Sequence, residues 1–366
     1  MELPSFKIGN LNFPVPIIQG GMGVGVSLSR LARAVSLCGG LGTISSAGLD
    51  RLVSERIGRK VGIREACAIE IEKAKQGMTP IAINIMVALE NTYAKSVLGA
   101  LDAAVDVIIS GAGLPVKLPQ IVNEHPNGEK TKLIPITSSG RALRLICKRW
   151  MKAGRTPDAV IVEGPLAGGH LGWKSLAEIE SPDTKLENLV EDCLEVARDF
   201  GNFPVIAAGG IYNHEDIHRF LDLGAAGVQM GTRFLATEES EASDNFKDAL
   251  VRCSEEDIMV ATEPGSPCGL PFRILKESPM LKETLSGMRK AICDKGYAMM
   301  GGKCLAKELP ERFFCICNGL LSSAGYKGTK DEPSLYTVGA LAALVDKITS
   351  VKELMEELVQ GKTSKT

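Results

Sequence analysis

The chain has 366 residues, of which 45% are hydrophobic and 23% charged, and its formal net charge is −2, values typical of a globular protein with a large core. Only 5% are aromatic and no basic stretch is interleaved with them, so binding to nucleic acid is not expected. No apolar run approaches the ~18 residues of a membrane-spanning helix and Met1 to Asn10 lack the apolar core of a signal peptide, so we expect a cytoplasmic protein with no membrane partner.

Short apolar runs alternate along the chain with longer amphipathic stretches. The runs that we predict as strands are Pro16–Gln19, Thr43–Ala47, Ile81–Ile85, Val105–Ser110, Leu133–Ile136, Ala159–Glu163, Val205–Ala208 and Gly227–Met230. They are far enough apart for one crossover helix each, and near-continuous apolar strands suit a parallel sheet buried on both faces. Eight such strands predict a (β/α)8 barrel from about Pro14 to Leu235, closed by a helix that begins near Asn245. A doubly wound open sheet, the competing architecture, would need fewer strands for this length.

The helices between the strands carry recognisable end signals. Asn213 is predicted to cap a helix over His214–Leu223, with Asp216 three residues further on and Gly224 as the stop. Gly39 and Gly40 end a helix from about Ser29 in the same way. We therefore expect helices that pack outside the strands.

The C-terminal part is less regular. We divide the chain into a barrel of residues 1–245 and a loop and helical segment of residues 246–366 that packs on it. Residues 258–278 are rich in Pro and Gly and are predicted to form a long loop over one end of the barrel, followed by a helical tail. Residues 338–358 have helical periodicity, and their apolar face would pack on the barrel or on a second subunit, which allows a homodimer.

Two glycine-containing motifs follow strands seven and eight, where barrels of this kind often bind phosphate. The first contains Gly209 and Gly210, and the second contains Gly231 and Thr232. Glycine lets backbone N–H groups approach a phosphate closely, and Thr232 adds a hydroxyl donor. The alternative is that these glycines only form tight turns; their occurrence at both positions favours phosphate binding.

The loop after strand six contains Gly168, Gly169 and His170. A histidine after two glycines at the mouth of a barrel is poorly placed for the core, and its imidazole suits proton transfer near neutral pH. The glycines leave room for a flat ligand against the backbone. We therefore predict that His170 is catalytic.

The first strand runs into Gly20, Gly21 and Met22, and Asn84 ends the third strand. No acidic residue follows where a dinucleotide-binding fingerprint would need one, so we interpret the glycines as a backbone shelf against a planar ring, with Met22 at its edge. The Asn84 amide either contacts the edge of a heteroaromatic ring or caps a buried strand end.

No metal site is predicted. The residues that raise the question are Cys293, Cys304, Cys315, Cys317, His214 and His218, but the cysteine spacing matches no common ligand pattern and no further ligand completes the histidine pair. Cys268 lies in the Pro/Gly-rich loop and could approach the active site, but nothing in the sequence sets its protonation state.

Together these motifs resemble the nitronate monooxygenase family and the related flavin-dependent enoyl-ACP reductases, over about Pro14 to Phe272. The resemblance implies a TIM barrel with FMN across its C-terminal mouth. It places the phosphate at Gly209, Gly210, Gly231 and Thr232, flanks the flavin ring with Gly21, Met22 and Asn84, sets Glu163 near the ring or ribityl chain, and makes His170 catalytic.

Two departures from the family concern the reaction rather than the fold or cofactor. Many relatives have an acidic residue shortly before the glycines that precede His170, where this chain has Pro165, Leu166 and Ala167. Some nitronate monooxygenases place a lysine near the flavin in strand five, and the corresponding segment here, Ile134–Thr137, contains no lysine. The expected reaction is oxidation of alkyl nitronates with O2. The alternative is NADH- or NADPH-dependent reduction of an enoyl thioester or a quinone.

Two further readings have weaker support. IMP dehydrogenase-like barrels share the phosphate motif but use a cysteine in the loop after strand six, where this chain has none. The second is a non-catalytic flavin or nucleotide sensor. Replacing His170 with alanine would distinguish it from an enzyme, which should lose turnover while keeping its cofactor.

Overall fold

The structure, a computed structural model, describes residues 2–76, 79–290, 303–326 and 332–361. Its strands are β1 (Phe6–Ile8), β2 (Leu11–Phe13), β3 (Ile17–Gln19), β4 (Gly42–Ser45), β5 (Ile81–Met86), β6 (Val107–Gly111), β7 (Lys132–Thr137), β8 (Val160–Glu163), β9 (Gly169–His170), β10 (Val205–Ala208), β11 (Gly227–Met230), β12 (Ile258–Ala261) and β13 (Phe272–Leu275). Its helices are α1 (Ser29–Leu37), α2 (Leu49–Ile57), α3 (Ile63–Ala74), α4 (Glu90–Asp102), α5 (Leu118–Asn123), α6 (Gly140–Met151), α7 (Leu176–Ile179), α8 (Leu186–Asp199), α9 (His214–Asp222), α10 (Thr232–Leu235), α11 (Asp244–Arg252), α12 (Pro279–Leu285), α13 (Leu305–Glu308), α14 (Ile316–Ser323) and α15 (Val351–Gln360). No helix within the described ranges is long and apolar enough to cross a bilayer.

Eight parallel strands form the barrel, in the order β3-β11-β10-β8-β7-β6-β5-β4. The gap between β3 and β4 is bridged by Leu41, whose N–H donates to the Ile17 carbonyl and whose carbonyl accepts from the Gln19 N–H, both at 2.9 Å. Each strand lies within two residues of the bounds predicted from the apolar runs. The predicted (β/α)8 barrel is therefore confirmed, and the open sheet is not formed.

The barrel interior is closed at its N-terminal end. Buried aliphatic side chains of the strands fill it, among them Ile18, Ile109, Ile134, Ile161 and Ile206. Beneath them the β1–β2 hairpin inserts Phe6 and Phe13, whose ring centroids lie 4.9 Å apart, into the same core. Because this end is filled, a ligand can enter only where the strands end at the other side.

The helix after β10 shows why the local end signals are reliable. The Asn213 side chain accepts from the Asp216 N–H at 2.9 Å, and the Asp216 carboxylate accepts from the Asn213 N–H at 3.3 Å. Gly224, just beyond the helix, adopts φ +107°, a value that a side chain disfavours. The predicted capping box and stop are confirmed, and they fix the turn that follows β10.

A cap, formed by residues 258–290, 303–326 and 332–345, covers the C-terminal end of the barrel. In it, β12 and β13 pair antiparallel, and β13 continues the pairing onto β9 of the barrel loop, with Phe272 opposite His170. The buried Arg289 ties the cap together by donating to the carbonyls of Ala306, Pro310 and Phe313 at 3.0–3.1 Å. The Pro/Gly-rich segment thus lies over the barrel mouth, but it is not the continuous loop predicted for residues 258–278, because β12 and β13 form within it.

The C-terminal helix is shorter than its periodicity predicts. Residues 338–350 are irregular apart from one 3₁₀ turn, and α15 begins only at Val351 because Ser350 and Glu353 form a capping box there. Its apolar face is buried between α1 and α9, through Val351, Leu354, Met355 and Leu358. The face on which the homodimer expectation rested is therefore covered by the chain itself.

An ion pair joins α15 to α10, the short helix that follows β11. Arg233 is 9% exposed and donates to Glu357 Oε1 at 2.9 Å and to the Tyr212 carbonyl at 3.1 Å. We expect Glu357→Ala to lower the free energy of unfolding by about 1.5–3 kcal/mol, because it leaves a buried charge without its partner. Urea unfolding measures this, with Glu356→Ala as the control.

The control residue pairs only loosely, with Lys352 at 3.9 Å, and both side chains are largely exposed. Its loss should cost less than about 0.5 kcal/mol. Equal losses for the two variants would contradict an anchoring role for Glu357.

Candidate active site

A cavity of about 850 Å³ opens at the C-terminal ends of the barrel strands, beneath the cap. All the residues predicted to bind the cofactor or act in catalysis line it: Gly20, Gly21, Met22, Asn84, Glu163, Gly168, Gly169, His170, Gly209, Gly210, Gly231 and Thr232. The βα loops therefore bring together side chains and glycines that are more than two hundred residues apart in sequence, from Gly20 to Thr232.

The loop after β3 lies directly against the end of β5. A Cβ on Gly21 would lie 2.4 Å from the Cβ of Asn84, so only glycine fits there. The loop is held by Ser27, whose Oγ accepts from the Met22 N–H at 2.7 Å and donates to the Met22 carbonyl at 3.2 Å. Gly21, Met22 and Asn84 thus form one rigid wall of the cavity.

The loop after β10 is constrained by its glycines. Gly209 and Gly210 adopt φ +90° and +80°, and a Cβ on Gly209 would lie 3.0 Å from the Ala167 backbone nitrogen. Their N–H groups donate to no acceptor within the described residues. Unpaired donors on a strained turn beside a cavity are the arrangement that binds an anion.

The hydroxyl of Thr232, at the start of α10, already accepts one hydrogen bond from within the protein. Its Oγ accepts from the Gly339 N–H at 2.9 Å, which leaves the hydroxyl proton free for another acceptor. Gly339 belongs to an irregular segment of the cap, residues 337–340, that we call the strap. The strap also contacts the loop after β8, where the Ala340 N–H donates to the Leu166 carbonyl at 3.0 Å. The strap closes the cavity beside Gly168 and could not be identified from sequence, because its contacts are all long-range.

Glu163 ends β8 and lines the cavity. Its carboxyl receives no hydrogen bond and forms no ion pair with any described residue. It keeps partial exposure to the cavity but is surrounded by protein, and this burial raises the pKa of its carboxyl to about 7. A carboxyl of that kind carries a proton at neutral pH about half of the time.

The raised pKa makes stability depend on pH. Between about pH 4 and pH 7 the unfolded chain ionises Glu163 while the folded chain keeps it protonated, so the free energy of unfolding falls as pH rises. In ligand-free protein we expect Glu163→Gln to be more stable than wild type by on the order of 2 kcal/mol at pH 8, a difference that vanishes near pH 4. Chemical unfolding at both pH values tests this.

The exposed Glu180, which does not line this cavity, serves as the control. Glu180→Gln should leave the stability unchanged at both pH values. A Glu163→Gln variant that is equally or less stable at pH 8 would mean that the carboxyl is ionised and solvated in the folded state.

His170 lies in β9, where its ring packs edge-on against Phe272 with centroids 4.5 Å apart. Its Nε2 lies 2.7 Å from Ser266 Oγ, and Ser266 Oγ lies 3.1 Å from Cys268 Sγ. The Pro/Gly-rich loop therefore brings two polar side chains to the histidine. The approach of Cys268 to the active site was considered from the sequence, whereas Ser266 was not identified.

Two further residues were missed. Gln229 in β11 lines the cavity, and its Oε1 is buried without a hydrogen-bond partner among the described residues. Arg273 in β13 is buried and donates to the carbonyls of Pro165, at 2.8 Å, and Ala167, so it holds the loop that precedes His170. A glutamine and an arginine inside otherwise apolar strands were the available signals.

The residues considered for a metal give no cluster. Within the described ranges no group of three or more His, Cys, Asp or Glu side chains is arranged to hold an ion, and Cys293 lies outside those ranges. The rings of His214 and His218 meet edge to face with centroids 4.5 Å apart, and His214 Nδ1 lies 2.8 Å from the Leu358 carbonyl. This pair sits at the α9–α15 contact rather than at the cavity.

Comparison with known proteins gives a consistent result. The chain matches the nitronate monooxygenase family over residues 5–361. It is 31% identical to a nitronate monooxygenase of Pseudomonas aeruginosa, covering 82% of this chain and 94% of that protein, and 26% identical to a probable nitronate monooxygenase of Staphylococcus aureus, covering 78% and 86%.

Solved structures agree with this assignment. FabK from Thermotoga maritima superposes with a TM-score of 0.69 at 28% identity, covering 95% of this chain and 92% of that one. A nitroalkane oxidase from Streptomyces ansochromogenes shares the fold, with a TM-score of 0.64 at 24% identity and 95% of each chain covered. The chain therefore belongs to the nitronate monooxygenase family and is an enzyme, an oxidoreductase of that type.

Proposed function

We propose that the cavity binds FMN and that the enzyme oxidises alkyl nitronates with O2 to a carbonyl compound and nitrite. The observation that carries this proposal is the convergence of two glycine loops, after β10 and β11, with His170 and the Gly21–Asn84 wall around one cavity. The family and the relatives named nitronate monooxygenase support the choice of reaction.

The residues present fit FMN. The unpaired N–H groups of Gly209 and Gly210, with Gly231 and the Thr232 hydroxyl, would hold the phosphate at the position that this fold favours for it. The pyrimidine edge of a flavin offers both an N–H donor and carbonyl acceptors, and the orphaned Oε1 of Gln229 supplies an acceptor for it.

The flat part of the ring has a matching surface. Gly20, Gly21 and Met22 would flank it from the β3 side, and the amide of Asn84 would reach its edge. Across the cavity, Gly168 and Gly169 leave backbone rather than side chains against the ligand, and Glu163 presents a carboxyl near the ring or ribityl chain. When bound, FMN supplies the electron transfer that no side chain of the protein can perform.

His170 supplies the acid–base chemistry in this proposal. Its imidazole faces the cavity, and Ser266 at 2.7 Å from Nε2 fixes the orientation of the ring. For a neutral nitroalkane, the free imidazole takes the α-proton and so generates the nitronate inside the site. For a preformed nitronate, the protonated ring donates a hydrogen bond to a nitro oxygen and positions the anion.

A second function, reduction of an enoyl thioester or a quinone by NADH or NADPH, draws support from the size of the cavity. Its volume lies in the upper part of the range of small-molecule sites, and the cap adds an apolar wall of Phe314, Ile316 and Leu320. FMN would fill part of this space, so the support for a long acyl or quinone substrate comes from this apolar wall rather than from the volume alone. The likeness to FabK, at 28% identity, points the same way.

One anaerobic experiment separates the two functions. Purified protein, loaded with FMN, is mixed with an alkyl nitronate or with NADH or NADPH while the visible flavin bands are followed. Bleaching by the nitronate but not by either nicotinamide supports nitronate oxidation. Rapid bleaching by a nicotinamide favours the reductase, and a protein that neither carries nor takes up FMN refutes the proposed cofactor.

A further inference from the structure

The Pro/Gly-rich loop places a thiol within a hydrogen-bonded chain that ends at His170. Ser266 Oγ lies 2.7 Å from His170 Nε2 and 3.1 Å from Cys268 Sγ, and the Cys268 N–H points back to Ser266 Oγ at 3.4 Å. All three side chains line the cavity. A nucleophile, a hydroxyl and a base in contact form the type of constellation that activates a thiol.

Cys268 differs from the other cysteines that the structure describes, since it alone among them is exposed. Burial opposes ionisation of its thiol, but the hydrogen bond and positive charge of His170, the Ser266 hydroxyl and the Leu270 N–H outweigh burial and lower its pKa to about 7. By contrast, burial raises the pKa of Cys67 and of Cys193 to about 12. The difference arises from the contacts of the loop.

Among the described residues, no carboxylate opposes this effect at close range. Glu263, on the same loop, is held by Arg312, with its Oε1 at 2.9 Å from the guanidinium, and both side chains are exposed. Arg273, on the neighbouring β13, points to the carbonyls of Pro165 and Ala167. His170, linked to the Cys268 thiol by Ser266, is therefore the charged group that lowers the pKa of this thiol.

We propose that Cys268 is a nucleophilic site, activated by His170 through Ser266, at which electrophilic alkenes such as α,β-unsaturated carbonyl compounds form a covalent thioether. This site shares His170 with the reaction proposed for the cavity, but its chemistry does not require FMN. It makes the barrel mouth a place where a reactive compound modifies the protein, and an adduct there would occupy the loop that holds His170.

The addition needs no further reactant. The proton of the Cys268 thiol passes to His170, and the thiolate electron pair forms the C–S bond at the β-carbon of the alkene. The π bond of the alkene breaks, its electron pair moves to the α-carbon, and the imidazolium of His170 returns the proton there. The net change is addition of S–H across C=C, with no oxidation or reduction.

The test uses the holoenzyme and N-ethylmaleimide, an electrophilic alkene, at a series of pH values from 5.5 to 9 (about half a unit apart, to bracket thiol titration). Peptide mass spectrometry gives the initial labelling rate at each cysteine. At pH 6.5 we expect Cys268 to react about fivefold or more faster than an ordinary exposed thiol, since its larger thiolate fraction outweighs its lower intrinsic nucleophilicity. The rate should rise with a midpoint of about 7.

Two variants connect the rate to the hydrogen-bonded chain. His170→Ala and Ser266→Ala should each move the midpoint upward, toward the ordinary thiol value of about 8.5, and His170→Ala should do so further. Cys317→Ser, which removes another cavity thiol, should leave labelling at Cys268 unchanged. A wild-type midpoint of about 8.5, or variants with the wild-type midpoint, would overturn the proposal, and the wild-type profile decides even if a variant does not fold.

Discussion

Replacing His170 with alanine is expected to lower kcat for a neutral nitroalkane by about 10²- to 10⁴-fold, the usual contribution of a positioned acid or base. The reason is that the α-proton must be removed inside the site, and His170 is the imidazole that faces the cavity. FMN content should stay at the wild-type level, because no predicted phosphate or ring contact depends on the imidazole.

The same variant should lose much less activity on a preformed nitronate. That substrate has already lost its α-proton, so only the hydrogen bond from the ring is missing, worth about 1.5–3 kcal/mol or roughly 10- to 150-fold. Steady-state kinetics on the two substrate forms, prepared at the same concentration, therefore measure the proton-transfer part of the His170 contribution by difference.

The control is His125→Ala. His125 lies far from the barrel mouth, where its Nε2 contacts Asp102 at 3.2 Å, and it should change kcat less than twofold for either substrate. If His170→Ala loses the same factor on both substrate forms, His170 positions the nitro group and is not a base. If it loses nothing on either, His170 is not catalytic.

The fold was predictable because short-range sequence patterns determine where its strands and helices begin and end. Each barrel strand is an apolar run between turn residues, and the helix at His214–Asp222 has its capping box and glycine stop within a dozen residues. The cofactor candidates were found for the same reason. Glycines at strand ends follow from the geometry of the turns, and all of them line one cavity.

What the sequence could not show depends on distant contacts. Ser266 lies 96 residues from His170, and the strap residue Gly339 lies 107 residues from Thr232. Periodicity also extended the last helix back to Val338, since spacing alone cannot reveal that Ser350 forms the cap. These contacts form only when the cap folds over the barrel, so the residues that the cap contributes to the active site cannot be identified from local sequence patterns.

The turn after β10 gives the second large expected effect, a loss of FMN affinity of about 10- to 100-fold in Gly209→Ala. Gly209 has φ +90°, and its added Cβ would lie 3.0 Å from Ala167 N and 3.1 Å from Gly164 O. Because these are backbone atoms of the neighbouring loop, they cannot rotate away, and the turn must shift at a cost of about 1–3 kcal/mol. A shifted turn no longer directs its N–H groups at the phosphate.

Two other glycines separate this effect from simple backbone strain. Gly154 has φ +72° with open space around it, so Gly154→Ala should cost about 1 kcal/mol of stability and leave FMN affinity unchanged. Gly210 has φ +80°, and its Cβ would lie 2.9 Å from the Leu166 Cβ, which the backbone holds in place, so the turn must shift here as well. Gly210→Ala should therefore lose FMN affinity by a factor similar to that of Gly209→Ala.

Quenching of FMN fluorescence gives the three dissociation constants, and urea unfolding of the apoproteins gives the three stabilities. The proposed site requires Gly209→Ala and Gly210→Ala both to bind FMN more weakly than Gly154→Ala, while the stabilities need not follow that order. If Gly209→Ala destabilises the protein but binds FMN as tightly as Gly154→Ala does, the phosphate lies elsewhere and the glycines after β10 serve only the turn. The order of the affinities thus decides between the two interpretations of these glycines that the sequence allowed.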